Sequence, residues 1–331
     1  MEPLVVLTRS ERTECVHYGY ICVTDSNNKI IFNIGDPDYS IYLRSTAKPF
    51  QAIAVVHSGA LEKFKISTAE LSIICASHSA QDYHLSTVRS ILRKIGLSEE
   101  YLQCGAAMPY NKDASDALIK NGEQPSQIHN GCSGKHAGML AVCRYYGFPP
   151  EGYCLPEHPV QKLIHSIIAE MINVDPEQLV TGLDGCGIPT FMVTMKQAAF
   201  LYSQLAAGMN GSTQYRNSLE TIKNAMAEYP EMISGDEEFC TELCSFTHGK
   251  VIGKVGADGV YCVAIPDRKL GFSIKVIDGN ERGLHPSAMH LLKQLNVIDD
   301  EAYEKLRRWA RPEIRNHKGE LAGYKIPVFK I

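Results

Sequence analysis

The sequence has no run of about 18 consecutive apolar residues, no sustained block of charge of either sign and no Cys-x-x-Cys pair. The first absence excludes a membrane-spanning helix of ordinary length. The second, with 33 Lys and Arg against 37 Asp and Glu, a net charge of −4 and a pI near 6.3, leaves no electrostatic footprint for nucleic acid or for an anionic membrane surface. The expected partner is a small molecule or a second copy of the chain. The third absence bears on redox state: eleven cysteines, an odd number spread along the chain, read as reduced thiols of a cytosolic protein rather than a disulfide framework. Most are expected to fill the core as small hydrophobes. Met1–Leu7 lacks the basic lead, long apolar stretch and small-residue cleavage site of a signal peptide, so a cytoplasmic protein is expected. Gly-rich or Pro-rich linkers, low-complexity segments and internal repeats are also missing.

Against these absences stands a clear change of periodicity. Residues Val5–Leu7, Gly19–Thr24 and Ile30–Ile34 are apolar and β-branched, and polar turns separate them, the plainest being Asp25-Ser26-Asn27-Asn28. They predict a meander of about three strands. From Phe50 the apolar spacing becomes helical, in Phe50–His57, His84–Ile95, Ala137–Tyr146, Val160–Ile172, Val193–Leu205 and Leu219–Ala227. Ser45, Ser79 of Ser79-x-x-Asp82 and Pro159 stand where helices are expected to start. Strand patterns return at Val251–Val255, Val260–Ile265 and Phe272–Val276, the last two joined by a Pro266–Lys269 hairpin. Helical spacing closes the chain from about Arg282 to Ala310. An α+β fold follows, in which strands from both terminal regions meet in one mostly antiparallel sheet. At 331 residues we expect a single two-lobed unit, with a sheet lobe of about residues 1–44 plus 247–331 and a helical lobe of about 45–246.

Four short segments set reactive side chains among small residues. Ser45-Thr46-Ala47-Lys48 has the Ser-x-x-Lys spacing at a loop-to-helix junction, where one turn brings an amine to a hydroxyl. The lysine acts as a base only when neutral, which requires its pKa of about 10.4 to fall by roughly 3, or about 4 kcal/mol, through burial or a second cation. A Ser cap followed by a surface Lys is the alternative, and Ser26-Asn27-Asn28-Lys29 shows how cheap the spacing is. Ala76-Ser77-His78-Ser79 crowds three polar side chains at another junction, where either Ser could be a cap and His78 a base or a structural histidine. In His129-Asn130-Gly131-Cys132-Ser133-Gly134-Lys135-His136-Ala137-Gly138 the Cys132-to-His136 interval is the helical spacing that chelates a transition metal. Lys135 beside Cys132 could instead activate a thiol nucleophile. Asp184-Gly185-Cys186-Gly187 adds a thiol and a carboxylate on a glycine turn. Gly253-Lys254-Val255-Gly256-Ala257-Asp258-Gly259 fits no phosphate-loop fingerprint; a Lys on a sheet-edge strand is its functional reading and a solvated Lys before a turn its alternative.

Together, Arg44-Ser45-x-x-Lys48-Pro49-Phe50-Gln51, Ala76–Ser79, His129–Met139, Asp184-Gly185-Cys186 and Gly253–Gly259 resemble the rhizobial-type L-asparaginases, also called the asparaginase II family. The resemblance runs in order over most of the chain. It implies a fold similar to serine β-lactamases and their glutaminase relatives, a homodimer, and hydrolysis of L-asparagine to L-aspartate and ammonia. It further implies two Ser-Lys pairs, Ser45 with Lys48 and Ser77 with Lys254; attack on the amide by Ser45 is our expectation, with Ser77 the other candidate to carry the acyl group. A zinc site implied at Cys132, Lys135 and Cys186 takes Lys135 as ligand in place of the His136 that helical spacing suggests. Arg44, His136 and Asp184 are placed near the substrate. The sequence departs from the family pattern at Gly131, where Asn is expected, at Ala80-Gln81, where Gly-Glu is expected, and in the Gly187–Thr190 run. Rival readings are the same chemistry on glutamine, a β-lactam or a peptide, a Cys132 thiol hydrolase, and a non-catalytic amino-acid or metal sensor.

Overall fold

A computed structural model describes residues 1–331. The chain divides into two compact units, one of Met1–Thr46, Val193–Ala207 and Glu242–Ile331, the other of Ala47–Met192 and Gly208–Thr241. In chain order the strands are β1 (Glu2–Arg9), β2 (Arg12–Asp25), β3 (Ile30–Ile34), β4 (Ser40–Tyr42), β5 (Thr181–Leu183), β6 (Pro189–Thr194), β7 (Ile252–Gly256), β8 (Val260–Ile265), β9 (Leu270–Val276), β10 (Glu313–Arg315) and β11 (Leu321–Pro327).

The first unit is built on an eight-stranded sheet of order β10-β11-β1-β2-β9-β8-β7, with β3 also paired to β2. Its ladders are antiparallel, and the two terminal regions join where β2 meets β9 in the register Gly19↔Val276 to Asp25↔Leu270. The turn after β2 forms because Asp25 Oδ1 accepts the amides of Asn27 and Lys29 while Asn28 takes a left-handed φ of 64°. Every residue of β8 is buried, and the reason is that both faces of the sheet are covered. Ser273 Oγ donates to Met195 O at 2.8 Å, which seats the helix Met195–Ala207 on one face of β9. On the other face the helix Glu281–Gln294 lies over Val276 and His17. Residues 273 and 276 point opposite ways because side chains alternate along a strand. Phe272, Ile274, Val263 and Tyr261 are completely buried there, each worth about 1.5–3 kcal/mol of hydrophobic stabilisation. Helix Met195–Ala207 was expected in the helical lobe; its contacts are with β2, β8 and β9, because its apolar side chains have a sheet to cover.

The second unit is helical. Its centre is the helix Ser133–Tyr146, in which Ser133 through Cys143 are all buried, as an element without a polar face must be. The helices Ile53–Ser58, Thr68–Ile74, Asp82–Lys94 and Pro159–Met171 pack around it. Thr68–Ile74 starts at a capping box that apolar spacing did not reveal: Ser67 Oγ accepts Glu70 N–H, and Glu70 Oε2 accepts Ser67 N–H. Asp82–Lys94 is entered from Gln81 rather than from Ser79, whose hydroxyl is turned to Gln81 Oε1. The stretch expected as one helix over Phe50–His57 is two, Lys48–Gln51 and Ile53–Ser58. In the same unit β5 and β6 form a small hairpin with the register Thr181↔Phe191 to Leu183↔Pro189, carrying Asp184–Ile188 at its tip. No helix is long and apolar enough to cross a membrane.

Candidate active site

In the first unit, Arg44–Ala47 is a single 3₁₀ turn. Thr46 closes it by donating from Oγ1 to Leu43 O at 2.7 Å, and Tyr202 OH ties it down by donating to Thr46 O at 2.9 Å. Arg44 enters the turn with a left-handed φ of 50° and its guanidinium pairs with Asp258, on the loop between β7 and β8. At Gly256 a Cβ would stand 3.0 Å from Leu43 O and 3.1 Å from Thr46 Cγ2, so that face of β7 looks at the turn. Lys254, two residues back, rises from the same face. It is fully buried, and its Nζ donates to Val255 O at 2.9 Å. The turn of Arg44 and the half-buried Ser45 therefore covers the side of the sheet edge from which the Lys254 amine projects.

In the second unit, Lys48 opens its helix with no exposed surface at all. Its ammonium group reaches three partners: Ala76 O, Ser77 Oγ at 2.9 Å and Gly131 O at 3.3 Å. Burial is the main influence on Lys48 and lowers its pKa. The Ser77 segment is pinned by backbone bonds, Ser77 N–H to Ile233 O at 2.9 Å and His78 N–H to Gly131 O at 3.2 Å.

The thiols lie in this unit too. Lys135 Nζ donates to Cys186 Sγ at 3.0 Å, the Cys186 thiol is hydrogen-bonded to Cys132, and Asp184 Oδ2 is 3.9 Å from Cys186 Sγ. Cys132 takes the hydrogen bond from Cys186 and faces Lys135 and Lys48, so its pKa falls well below that of an ordinary thiol and it is the thiolate of the pair. Burial alone would drive the Lys135 pKa down, but the Cys132 thiolate, the Cys186 sulfur that accepts the amine's hydrogen bond and the Asp184 carboxylate outweigh it, and the amine is held as a cation. All eleven cysteines are free.

Helical spacing suggested Cys132 with His136, and the structure corrects it. His136 is fully buried with its ring turned away to Tyr153, whose hydroxyl accepts Gln103 N–H at 3.0 Å and donates to His136 Nδ1 at 2.7 Å. The imidazole proton is then on Nε2, which is buried without a partner. His129 Nδ1 accepts Ser126 N–H at 3.0 Å instead of facing the thiols. No three side chains drawn from His, Cys, Asp and Glu converge as a ligand set. Two thiols and an amine do lie within hydrogen-bonding reach of one another, a sulfur-and-nitrogen donor set of the kind zinc accepts once the amine is deprotonated. Tyr153 and the carbonyls of Ala76 and Gly131 were not foreseen; no sequence signal marks a carbonyl as a base's partner.

No curated protein sequence matches the chain. Among solved structures it is similar to Mglu, at 13% identity and a TM-score of 0.46 over 84% of this chain and 67% of that one. It is also similar to a β-lactamase from Mycobacterium bovis, at 14% identity and a TM-score of 0.40 over 88% and 95% of the two chains. A class C β-lactamase from Rhodobacter sphaeroides gives 10% identity and a TM-score of 0.43 over 85% and 95%. The chain spans 59% to 67% of the length of the Mglu chains it matches. Residues 5–326 match the family described as L-asparaginase II, and the chain belongs to that family of amidohydrolases.

Proposed function

We propose that the chain is an L-asparaginase, hydrolysing the side-chain amide of L-asparagine to L-aspartate and ammonia through an acyl-enzyme. One observation carries this reading: the partners of Lys48. Two of the three are carbonyl oxygens, which only accept, so a neutral Lys48 spends both N–H groups on Ala76 O and Gly131 O and turns its lone pair to the Ser77 hydroxyl. Burial favours that neutral form. The result is a base already aimed at a hydroxyl.

In this reading Ser45, on the turn just before Lys48, attacks the amide carbon, and Ser77 relays its proton to Lys48. Lys48 returns the proton to the departing ammonia, and water then cleaves the β-aspartyl ester. Lys254, beside the Ser45 turn, is the second buried amine of the proton path. Backbone N–H groups near Ser45 would stabilise the developing oxyanion, ordinarily the largest catalytic contribution. Direct attack by Ser77 is a second reading, favoured by its 2.9 Å contact with Lys48. Arg44 and Asp184 suit the carboxylate and ammonium of an amino acid, and the unpartnered Nε2–H of His136 is a donor for a substrate oxygen.

Zinc enters through Cys132, Cys186 and Lys135, and when bound it supplies a Lewis-acid anchor for the amino-acid head group. A homodimer is the assembly this reading carries. The test is ammonia release from L-asparagine and L-glutamine, with ring opening of a β-lactam followed by its absorbance, for the wild type, Ser45→Ala and Ser77→Ala. Asparagine turnover lost by several orders of magnitude in Ser45→Ala is expected. An unaffected Ser45→Ala with an inert Ser77→Ala moves the nucleophile to Ser77. Glutamine preferred over asparagine changes the substrate, and binding of asparagine without ammonia release makes the protein a sensor.

A further inference from the structure

The Ser77 hydroxyl serves Lys48 only while the two stay in line, and the next residue along has the geometry to hold them so. His78 is fully buried, and both ring nitrogens are engaged. Nδ1 accepts the N–H of Ala80 at 3.2 Å, so the proton is on Nε2, which donates to Ser133 Oγ at 2.8 Å. Ser133, equally buried, passes its own proton to Ile128 O at 2.9 Å. Burial keeps the imidazole pKa well below its usual value, so the ring is neutral and its donor pattern fixed. Two loops are joined by this chain of bonds: the one carrying Ser77 and the one that leads from Gly131 into the helix Ser133–Tyr146. Gly131 O accepts from both His78 N–H and Lys48 Nζ, so the hydroxyl, the amine and one of the amine's fixed acceptors all hang on the same junction.

We propose that His78 is a positioning residue for the hydrolysis: its Nε2–H···Oγ bond to Ser133 locks the Ser77 hydroxyl onto Lys48 Nζ. Neither ring nitrogen is left to move a proton, so the residue acts only through Ser77. The inference rests on the Lys48–Ser77 reading above.

Two amide replacements separate the two bonds of the ring. The Asn amide extends about as far as Nδ1, so His78→Asn can keep the Ala80 bond but loses Ser133. The longer Gln amide extends to the place of Nε2, so His78→Gln can still donate to Ser133. With L-asparagine as substrate, His78→Asn and Ser133→Ala should each lower kcat about 10- to 100-fold, the cost of displacing a reacting group by up to about 1 Å, with KM within about threefold. His78→Gln should stay within about fivefold of the wild type, and the double variant His78→Asn/Ser133→Ala should be no slower than its slower parent. A Gln variant as slow as the Asn variant, losses that multiply in the double variant, or an undiminished kcat in Ser133→Ala overturns the proposal. If His78→Asn fails to fold by circular dichroism, Ser133→Ala against Ser133→Thr, which keeps the hydroxyl, makes the same comparison. Ser77→Ala run alongside separates the two claims: full activity there removes the Lys48–Ser77 reading itself, whereas an inert Ser77→Ala with undiminished Ser133→Ala removes only the role of His78.

Discussion

Adding one methyl at each of two glycines on the same helix, four residues apart, should have very different effects on stability. At Gly134 a Cβ would stand 2.3 Å from the carbonyl oxygen of Ile73 and 2.9 Å from its carbon. That oxygen belongs to the backbone of the helix Thr68–Ile74 and cannot rotate away, so one helix must move by roughly 1 Å, the kind of overpacking that costs about 1–3 kcal/mol. At Gly138 the nearest atoms are Ile74 Cγ2 at 2.7 Å, Cγ1 at 3.2 Å and Cδ1 at 3.3 Å, all of one side chain and none of them backbone. Replacing glycine inside a helix gains about 1 kcal/mol in propensity, which at position 138 offsets most of the crowding. We expect Gly138→Ala within about 1 kcal/mol of the wild type and Gly134→Ala, with the same propensity gain set against its larger clash, destabilised by about 2 kcal/mol, or roughly 3 °C in Tm for a chain this size. Thermal unfolding followed by circular dichroism reads the difference. Activity should follow it, because Lys135 is the residue after Gly134 and moves with it. Equal Tm values for the two variants, or a Gly134→Ala protein as stable as the wild type, would refute the close approach of the two helices as the reason for glycine there.

Two further outcomes are expected. The neutral tautomer of His84 is built in, Nδ1 accepting Gln81 N–H at 3.2 Å and Nε2 donating to Glu231 O at 3.0 Å, and burial puts its pKa at about 4. Above about pH 6.5 folded and unfolded chains are both neutral at this residue; as pH falls from there to 4 only the unfolded chain gains the proton, so up to about 3 kcal/mol of stability is lost. Urea denaturation at pH 7.5 and 4.5 should show His84→Gln losing about 2–3 kcal/mol less than the wild type over that interval, and parallel losses would contradict it. For the metal, dialysed wild-type protein given zinc should retain it by elemental analysis while Cys186→Ala does not, with circular dichroism showing both folded; equal retention would remove Cys186 from the ligand set.

What the sequence made legible was local. The β1–β3 meander was readable because Asp25–Lys29 is a turn by its own side-chain chemistry, β8 because its unbroken apolar run marks a strand covered on both faces, and β9 because Leu270, Phe272, Ile274 and Val276 recur at every second residue. The strands β10 and β11 escaped because Leu321–Pro327 mixes Ala, Gly, Lys and Pro with no alternation and is mostly half-buried. The β5–β6 hairpin escaped because Gly182, Gly185, Gly187 and Pro189 read as loop. Spacing could propose Lys48 for Ser45, but Ser77, 29 residues away, is the hydroxyl at its amine; only tertiary closure shows that. Periodicity likewise could not choose between Lys135 and His136 for the thiols, since residues three and four along a helix both neighbour Cys132. The choice follows from packing: Tyr153 claims the His136 ring, and Cys186 receives the Lys135 amine.

The helix Ser133–Tyr146 and the β5–β6 hairpin hold the two thiols on very different footings. Cys132 and Lys135 are attached to a rod sheathed in protein from Ser133 to Cys143, whose amides should be among the last in their unit to exchange with deuterated water. Cys186 is itself buried, yet it hangs from a five-residue tip between short strands, flanked by exposed Gly185 and Gly187, with Leu183 at the end of its strand 80% exposed. Deuterium should therefore enter the two sides in order, first the exposed amides of Gly185 and Gly187 at the hairpin tip and only later those of the helix beside Cys132 and Lys135.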